Sequence, residues 1–181
     1  MKNSQAAPVR LAIVKSGRAI CYLVACLTLL TDVATKNWAV TSLADGEPRK
    51  VLGALLDFHY VRNPGAAFSF ATGSTWIFTL VAAVVSITVI VIARKIVSRP
   101  WALALGLLLG GALGNLGDRV FRSPGHLRGL VVDWIELPHW PIFNIADAAI
   151  VIAAGFITIL SIRGVGYRDQ SRLSHQSERS E

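Results

Sequence analysis

Long apolar runs separated by short polar segments dominate this sequence. Four runs contain almost no charged residue: residues 19–35, 63–93, 100–117 and 137–162. The first holds only Asp32 and the last only Asp147. About 20 mostly apolar residues in a helix cross the ~30 Å hydrocarbon core of a bilayer. The pattern therefore predicts an all-α membrane protein with four transmembrane helices, near residues 18–38, 74–94, 100–117 and 141–162.

The charge distribution supports this class and predicts an orientation. Only 16% of the 181 residues are charged, against about 25% in a typical soluble domain. Eleven of the 18 Lys and Arg precede the first span, link the second to the third or follow the fourth: Lys2, Arg10, Lys15, Arg18, Arg94, Lys95, Arg99, Arg163, Arg168, Arg172 and Arg179. Because basic residues accumulate on the cytoplasmic side, both termini are predicted to be cytoplasmic (N-in/C-in). The net charge of +7 thus indicates topology, and no nucleic-acid partner is expected.

The two ends of the chain are polar and are predicted to be disordered cytoplasmic segments, residues 1–16 and 164–181. Residues 17–163 then form one four-span membrane domain. A basic start followed by an apolar run also fits a cleaved signal peptide. Three further spans with the same charge asymmetry favour a retained first helix.

Two longer segments are predicted on the outer side of the membrane, at about residues 40–73 and 118–140. In the first, Leu56, Phe58 and Tyr60 alternate with polar residues, which is typical of a strand. A turn is predicted at Asn63-Pro64-Gly65, and residues 131–135 of the second segment are predicted to be extended. A small outer sheet is therefore expected. The four-residue spacing of Gly106, Gly110 and Gly114 predicts a close helix–helix contact in the third span.

Several polar residues are expected at one depth below the outer surface. Asp32 and Asp147 each lie about six residues inside the outer end of a predicted span, which corresponds to roughly 9 Å. Asn115, Asp118 and Arg119 lie at the outer end of the third span. Asp133 lies in the loop that returns to the membrane. An ionisable residue inside the bilayer is costly and usually functional.

Asp133 and Asp147 suggest acid–base chemistry. Two close carboxylates share one proton, so the ionised member accepts a proton from water while the protonated member donates one. Which residue is acid and which is base stays open. Cys21 and Cys26 both lie in the first span, and the histidines lack metal-ligand spacing, so neither a metal nor a cofactor is expected. Simpler interpretations are a solvated Asp133, a structural cap or pairing role for Asp147, and an ordinary helix salt bridge between Asp32 and Lys36.

Five ordered motifs resemble those of lipoprotein signal peptidase, the signal peptidase II family. They are Asp32-Val33-Ala34-Thr35-Lys36, Asn63-Pro64-Gly65-Ala66-Ala67-Phe68-Ser69, Gly114-Asn115-Leu116-Gly117-Asp118-Arg119, Val131-Val132-Asp133-Trp134 and Phe143-Asn144-Ile145-Ala146-Asp147. The resemblance covers nearly the whole chain. It departs from the family at Trp134, where Phe is commoner, and at Ala148, where Ser is common.

The resemblance implies an aspartyl endopeptidase of the bacterial cytoplasmic (inner) membrane, with its active site on the extracytoplasmic side. The enzyme would cut diacylglyceryl-modified prolipoproteins just before the lipidated cysteine, contact membrane lipids and act as a monomer. Its small outer sheet would be a β-cradle. Asp133 and Asp147 fall on the catalytic pair of the family. The remaining site residues would bind substrate or support the site: Asp32, Lys36, Asn63, Gly65, Asn115, Arg119 and Asn144.

Two other functions fit parts of the pattern. A small transporter or channel would use Asp32, Asp147 and Arg119 as an ion path, but it would need polar residues at several depths. Apart from Arg18 and Arg94 at the very ends, the inner halves of the predicted spans contain no charge. A non-catalytic membrane scaffold would tolerate replacement of both Asp133 and Asp147 by Asn.

Overall fold

The structure, a computed structural model, describes residues 6–65, 75–125 and 127–167, with side chains from residue 16 onward. This part of the chain forms four α-helices, α1 (Ala6–Ser42), α2 (Thr75–Ala93), α3 (Arg99–Phe121) and α4 (Ile145–Ile162). It also forms three β-strands, β1 (Arg49–Lys50), β2 (Asp57–Asn63) and β3 (Val131–Glu136). Each helix contains a segment that is long and apolar enough to cross a membrane. The predicted helical membrane fold with four spans is therefore confirmed.

The helix ends differ from the predicted ones in α1, α3 and α4. Helix α1 runs from Ala6 to Ser42, beyond both ends of the span expected near residues 18–38. Helix α3 continues to Phe121, so its last turns include residues expected in the following loop. Helix α4 begins only at Ile145, because Asn144 caps it and Phe143 bridges to the sheet. Predictions for residues 1–5, 66–74 and 168–181 lie outside the described residues.

The three strands form one antiparallel sheet at one end of the helices, here called the sheet end. Strands β1 and β2 lie between α1 and α2 in the chain, and β3 lies between α3 and α4. The strand order is β1-β2-β3, and Val61 on β2 pairs with Asp133 on β3. The predicted small sheet is thus confirmed, and it brings the two outer segments together.

Helix α3 packs tightly between α1 and α4 because glycines line two of its faces. A Cβ atom at Gly110 would lie 2.6 Å from the carbonyl oxygen of Ala25 on α1. On the other side, a Cβ at Gly111 would lie 2.6 Å from the carbonyl oxygen of Ala146 on α4. Only residues without a side chain allow this approach, so the close contact predicted from the glycine spacing is confirmed.

An aromatic cluster attaches the sheet to the end of α1. The rings of Trp38, Phe58 and Trp134 contact one another edge to face, with centroids 5.1–5.4 Å apart. Leu43 and Val132 are buried beside them. Aromatic pairs of this geometry add about 0.5–1.5 kcal/mol each beyond their buried area. The sheet is therefore held against the end of α1, and Asp133, which directly precedes Trp134 on β3, is held with it.

Candidate active site

Asp133 lies on β3 with its side chain enclosed by amides. It is 1% exposed. Its Oδ2 accepts a hydrogen bond of 2.8 Å from Nδ2 of Asn63, and its Oδ1 accepts one of 2.6 Å from Nδ2 of Asn144. Burial raises the pKa of Asp133 to about 6; the amide of Asn63 opposes the rise, and the negative charge of Asp147 adds to it. Asp133 therefore keeps its proton to a higher pH than an ordinary carboxyl group.

Asp147 occupies the first turn of α4, where a capping box orients it. Its backbone N–H donates to Oδ1 of Asn144 over 2.9 Å, and its Oδ2 accepts from the backbone N–H of Asn144 over 3.3 Å. Its Oδ1 accepts a hydrogen bond of 2.7 Å from Nδ2 of Asn115. The N-terminal end of a helix carries partial positive charge. The position therefore suits a negatively charged carboxylate.

Asn144 bridges the two aspartates. Among the described residues no hydrogen bond joins the two carboxylates directly. Nδ2 of Asn144 donates to Asp133, while its Oδ1 accepts from the backbone of Asp147. The Asn144 side chain is fully buried, so its amide cannot rotate away into solvent. The two carboxylates are consequently held as neighbours with a fixed amide between them.

Lys36 contacts three polar side chains of α1 and α3 near the two aspartates. Its Nζ lies 2.8 Å from Oδ2 of Asp32 and 2.9 Å from Oδ2 of Asp118, and it donates a 2.9 Å hydrogen bond to Oδ1 of Asn115. Lys36 and Asp32 are both fully buried. The contact of Lys36 with Asp32 does occur at i,i+4, but it belongs to a larger network and is more than a helix salt bridge.

The polar residues lie at one level along the helices, as predicted, but their distances from the helix ends differ from the predicted ones. Oδ1 of Asp32 accepts a 2.9 Å hydrogen bond from the backbone N–H of Ala146. Asp147 is the third residue of α4, whereas Asp32 lies ten residues before the end of α1 at Ser42. The equal offsets of about six residues were therefore wrong, because α4 starts later and α1 ends later than expected.

Arg119 and Gly65 lie beside the aspartates. The guanidinium carbon of Arg119 stands 5.4 Å from the centroid of the Phe78 ring. Arg119 is 7% exposed, and its Nη1 has no hydrogen-bond partner among the described residues. Gly65 has a φ of +94°, and a Cβ there would lie 2.7 Å from Phe78 and 3.2 Å from Nη2 of Arg119. Position 65 therefore needs glycine, both for the positive φ of the turn and for the space beside Phe78 and Arg119. Nη1 of Arg119 is a hydrogen-bond donor without a partner in the described part of the chain.

Asp118 is part of this network; the sequence placed it among the polar residues at the outer end of the third span, but no role in the site was assigned to it. Its Oδ2 accepts a 3.1 Å hydrogen bond from the backbone N–H of Val132 and contacts Lys36. Its Oδ1 pairs with Arg122. Its position next to Arg119, at the end of an apolar span, was the available signal. Phe78, which contacts Arg119, had no signal, because one aromatic in an apolar span is usually a packing residue.

The arrangement suits proton transfer with carboxylates and amides. Among the residues that the structure describes, no three His, Cys, Asp or Glu side chains are grouped to hold a metal ion. Each oxygen of Asp133 and of Asp147 accepts one hydrogen bond. A carboxylate oxygen has room for a further donor, such as a water molecule between the two side chains.

Comparison with known proteins gives concordant matches. Residues 24–163 match the protein family described as Signal peptidase (SPase) II. The chain is 48% identical to a lipoprotein signal peptidase of Rhodococcus jostii over 148 residues, 82% of this chain and 75% of that protein. It is 46% identical to a lipoprotein signal peptidase of Mycobacterium tuberculosis over 165 residues, 91% of this chain and 78% of that protein. A solved bacterial membrane enzyme superposes with a TM-score of 0.71 at 28% identity, over 83% of this chain and 92% of that one.

Proposed function

Because this chain belongs to the signal peptidase II family, it is a multi-pass membrane peptidase that removes signal peptides from prolipoproteins, and we propose that Asp133 and Asp147 are its catalytic pair. The observation that carries the proposal is the bridge through Asn144, which holds two carboxylates from different elements side by side. A peptidase is the function that these similarities support, rather than the transporter or the scaffold.

In the proposed reaction, Asp133 carries the proton and Asp147 is ionised. Burial favours the neutral form of Asp133, whereas the start of helix α4 suits the charge of Asp147. Asp147 takes a proton from a water molecule, and the water attacks the carbonyl carbon of the scissile peptide bond. Asp133 donates its proton to the carbonyl oxygen, which gives a neutral gem-diol intermediate. As the C–N bond breaks, Asp147 returns the proton that it took from water to the leaving nitrogen, and Asp133 recovers a proton from a gem-diol hydroxyl as the carboxyl product forms. In this proposal Asp147 is the base and Asp133 the acid, roles that the sequence left open.

We further propose that the scissile bond lies just before a diacylglyceryl-modified cysteine. Arg119 supports this assignment, since its Nη1 is buried with no hydrogen-bond partner among the described residues, and a guanidinium binds carbonyl and ester oxygens through planar donors. Asn63, Gly65 and Asn115 shape the same site: Asn63 holds both Asp133 and the turn at Gly65, while Asn115 holds Asp147. A lipid-anchored substrate would reach these residues along the membrane plane.

The orientation and surroundings also belong to the proposal. The basic link between α2 and α3, with Arg94, Lys95 and Arg99, lies at the end of the helices opposite the sheet. By the positive-inside rule that end is cytoplasmic, so the sheet and the aspartates face the extracytoplasmic side of the bacterial inner membrane. Residues 17–163 are proposed as one catalytic domain that works as a monomer among membrane lipids, with short cytoplasmic tails.

Replacement of either aspartate by Asn tests the catalytic pair. The purified protein in detergent is mixed with a prolipoprotein that carries or lacks its diacylglyceryl group, and cleavage is followed by gel shift. Asp133→Asn and Asp147→Asn should each lower the rate by about 10²–10⁴-fold or more, the contribution of a positioned acid or base. Asp45→Asn is the matched control, because Asp45 is an exposed acid whose contacts in the described part of the chain are with the nearby Arg49 and Glu47. Near-normal turnover by either active-site variant would contradict the proposal.

A further inference from the structure

A second pair of carboxylates lies behind the proposed catalytic pair and holds its backbone. Oδ2 of Asp118 accepts a 3.1 Å hydrogen bond from the N–H of Val132, the residue directly before Asp133. Oδ1 of Asp32 accepts a 2.9 Å hydrogen bond from the N–H of Ala146, the residue directly before Asp147. Each catalytic aspartate thus follows a residue whose backbone is fixed by another aspartate.

One ammonium group joins these two rear carboxylates. Nζ of Lys36 lies 2.8 Å from Oδ2 of Asp32 and 2.9 Å from Oδ2 of Asp118. The side chains of Lys36 and Asp32 are 0% exposed and that of Asp118 is 7% exposed. Buried charges that are paired from several sides cannot swing into water without a large desolvation change. One buried ammonium group therefore fixes the distance between the two carboxylates that accept from the backbone of Val132 and of Ala146.

We propose that Asp32, Lys36 and Asp118 form a positioning triad that fixes the separation and orientation of the catalytic carboxylates. The inference rests on the proposed catalytic function of Asp133 and Asp147. None of the hydrogen bonds or ion pairs of the triad reaches an oxygen of either catalytic carboxylate in the described part of the chain. The contacts of the triad with the catalytic segments are to the backbone of β3 and of α4, so its members are positioning residues; the charge of Lys36 in addition lowers the pKa of Asp133.

Two further contacts support this role. The Lys36 ammonium also donates a hydrogen bond to Oδ1 of Asn115, which leaves Nδ2 of Asn115 facing Asp147. An ammonium has three N–H donors, and three side-chain oxygens lie within 2.9 Å of this one, on Asp32, Asp118 and Asn115. Gly114 provides the room for the triad, because a Cβ there would run into Oδ2 of Asp32.

Positioning residues are needed because the two catalytic residues belong to different secondary-structure elements. Asp133 belongs to a strand of the small sheet and Asp147 to a helix in the bundle. Apolar packing joins these elements but is not directional. Hydrogen bonds to ionised groups are shorter and more directional. A buried salt bridge often adds little to stability, so geometry is the property that the triad supplies.

Substitutions at Asp118 test the triad. Asp118→Asn keeps an oxygen for Val132 but loses the ion pair with Lys36, and Asp118→Glu keeps the charge but displaces it by one methylene. Since a misplacement of about 1 Å at a reacting group can cost about 100-fold in rate, both variants should lose kcat by about that factor. KM for the diacylglyceryl prolipoprotein should change by less than about threefold, because binding contacts are retained.

Arg49→Gln is the control. Arg49 is an exposed residue on β1 that pairs with Asp45 over 2.9 Å, and in the described part of the chain it has no hydrogen bond or ion pair with Asp32, Lys36 or Asp118. Its kcat should stay within about threefold of wild type, since only a surface ion pair is removed. Equal losses in Arg49→Gln and Asp118→Asn would mean that any change of charge at the sheet end lowers kcat, and would overturn the triad.

A double variant provides a second criterion. Because Asp32 and Asp118 act through one ammonium, the loss in Asp32→Asn/Asp118→Asn should be clearly smaller than the product of the two single losses. Losses that multiply, or wild-type kcat in both Asp118 variants, would overturn the proposal. If Asp118→Asn does not fold, Asp118→Glu decides the result. Active Asp118 variants beside inactive Asp133→Asn would refute the triad alone, whereas active Asp133→Asn would refute the catalytic pair.

Discussion

Asn144 donates a 2.6 Å hydrogen bond to Asp133, a residue on a different secondary-structure element. The same side chain caps helix α4 by accepting the backbone N–H of Asp147. One residue therefore performs two tasks, helix capping and alignment of the carboxylates. The two tasks need different atoms, an oxygen for the cap and an N–H group for Asp133, so they can be separated by mutation.

We expect Asn144→Ser and Asn144→Ala to be similarly impaired in catalysis but different in stability. Serine is a good N-cap but has no amide to donate to Asp133, whereas alanine loses the cap as well, at about 1 kcal/mol. Both variants should lose kcat by at least about tenfold, since a buried acceptor left without its donor costs about 1–3 kcal/mol. Steady-state kinetics and thermal unfolding in detergent measure the two effects. Wild-type kcat in Asn144→Ser would contradict the alignment role.

The raised pKa of Asp133 predicts a pH-dependent stability. Its pKa rises from 3.8 to about 6 on folding, so the folded protein holds a proton that the unfolded chain has released. The resulting stability is fully present below pH 3.8 and is lost as pH rises through about 6. A shift of about 2 units corresponds to about 3 kcal/mol.

Asp133→Asn removes this titration and serves as the comparison. Thermal unfolding of both proteins, measured between pH 3.5 and 7.5 in one detergent, should give a steeper decline for wild type than for the variant. Parallel curves would show that Asp133 titrates normally in the folded protein.

The same group should shape the pH profile of activity. If Asp133 must be protonated, kcat/KM of the free enzyme falls as pH rises through about 6. The amide of Asn63 stabilises the ionised form, so Asn63→Ala should raise the pKa of Asp133 and move this limb to higher pH by about one unit. Asn37→Ala, which removes an amide at the same end of the molecule, should leave the limb in place. If the limb moved to lower pH in Asn63→Ala, the protonated state assigned to Asp133 would be wrong.

Two glycines of α3 should respond in opposite ways to replacement by alanine. Gly110→Ala would place its Cβ 2.6 Å from Ala25 O and from Thr28 Cβ, and overpacking of this kind costs about 1–3 kcal/mol. Gly117→Ala meets no atom within 4 Å and should stabilise the helix by up to about 1 kcal/mol. Thermal unfolding in detergent distinguishes them. Equal destabilisation would mean that α1 and α3 do not pack through Gly110.

The four spans and the sheet were predictable because they follow from local patterns. A run of apolar residues has one low-energy solution in a bilayer, a helix. The alternation around Phe58 and Tyr60 reports a half-buried strand directly. The motif residues Asn63, Asn115 and Asn144 were also visible as polar residues near span ends.

The connections between these residues were not predictable, because they depend on helix packing and on where each helix ends. Asp118 binds Val132, which is 14 residues away, and Lys36 binds Asn115, which is 79 residues away. Neither spacing corresponds to a local period. The start of α4 was misplaced for a similar reason: Asn144 caps the helix only because Phe143 is already paired with the sheet.

The length of α4 has a consequence for where cleavage takes place. With 18 residues, α4 is about 27 Å long at 1.5 Å per residue, slightly less than a hydrocarbon core of ~30 Å. A short helix cannot relieve this hydrophobic mismatch by tilting, so the surrounding bilayer thins toward it. Since Asp147 lies in the first turn of α4, local thinning would draw the lipid headgroups, and a peptide anchored among them, toward the carboxylates.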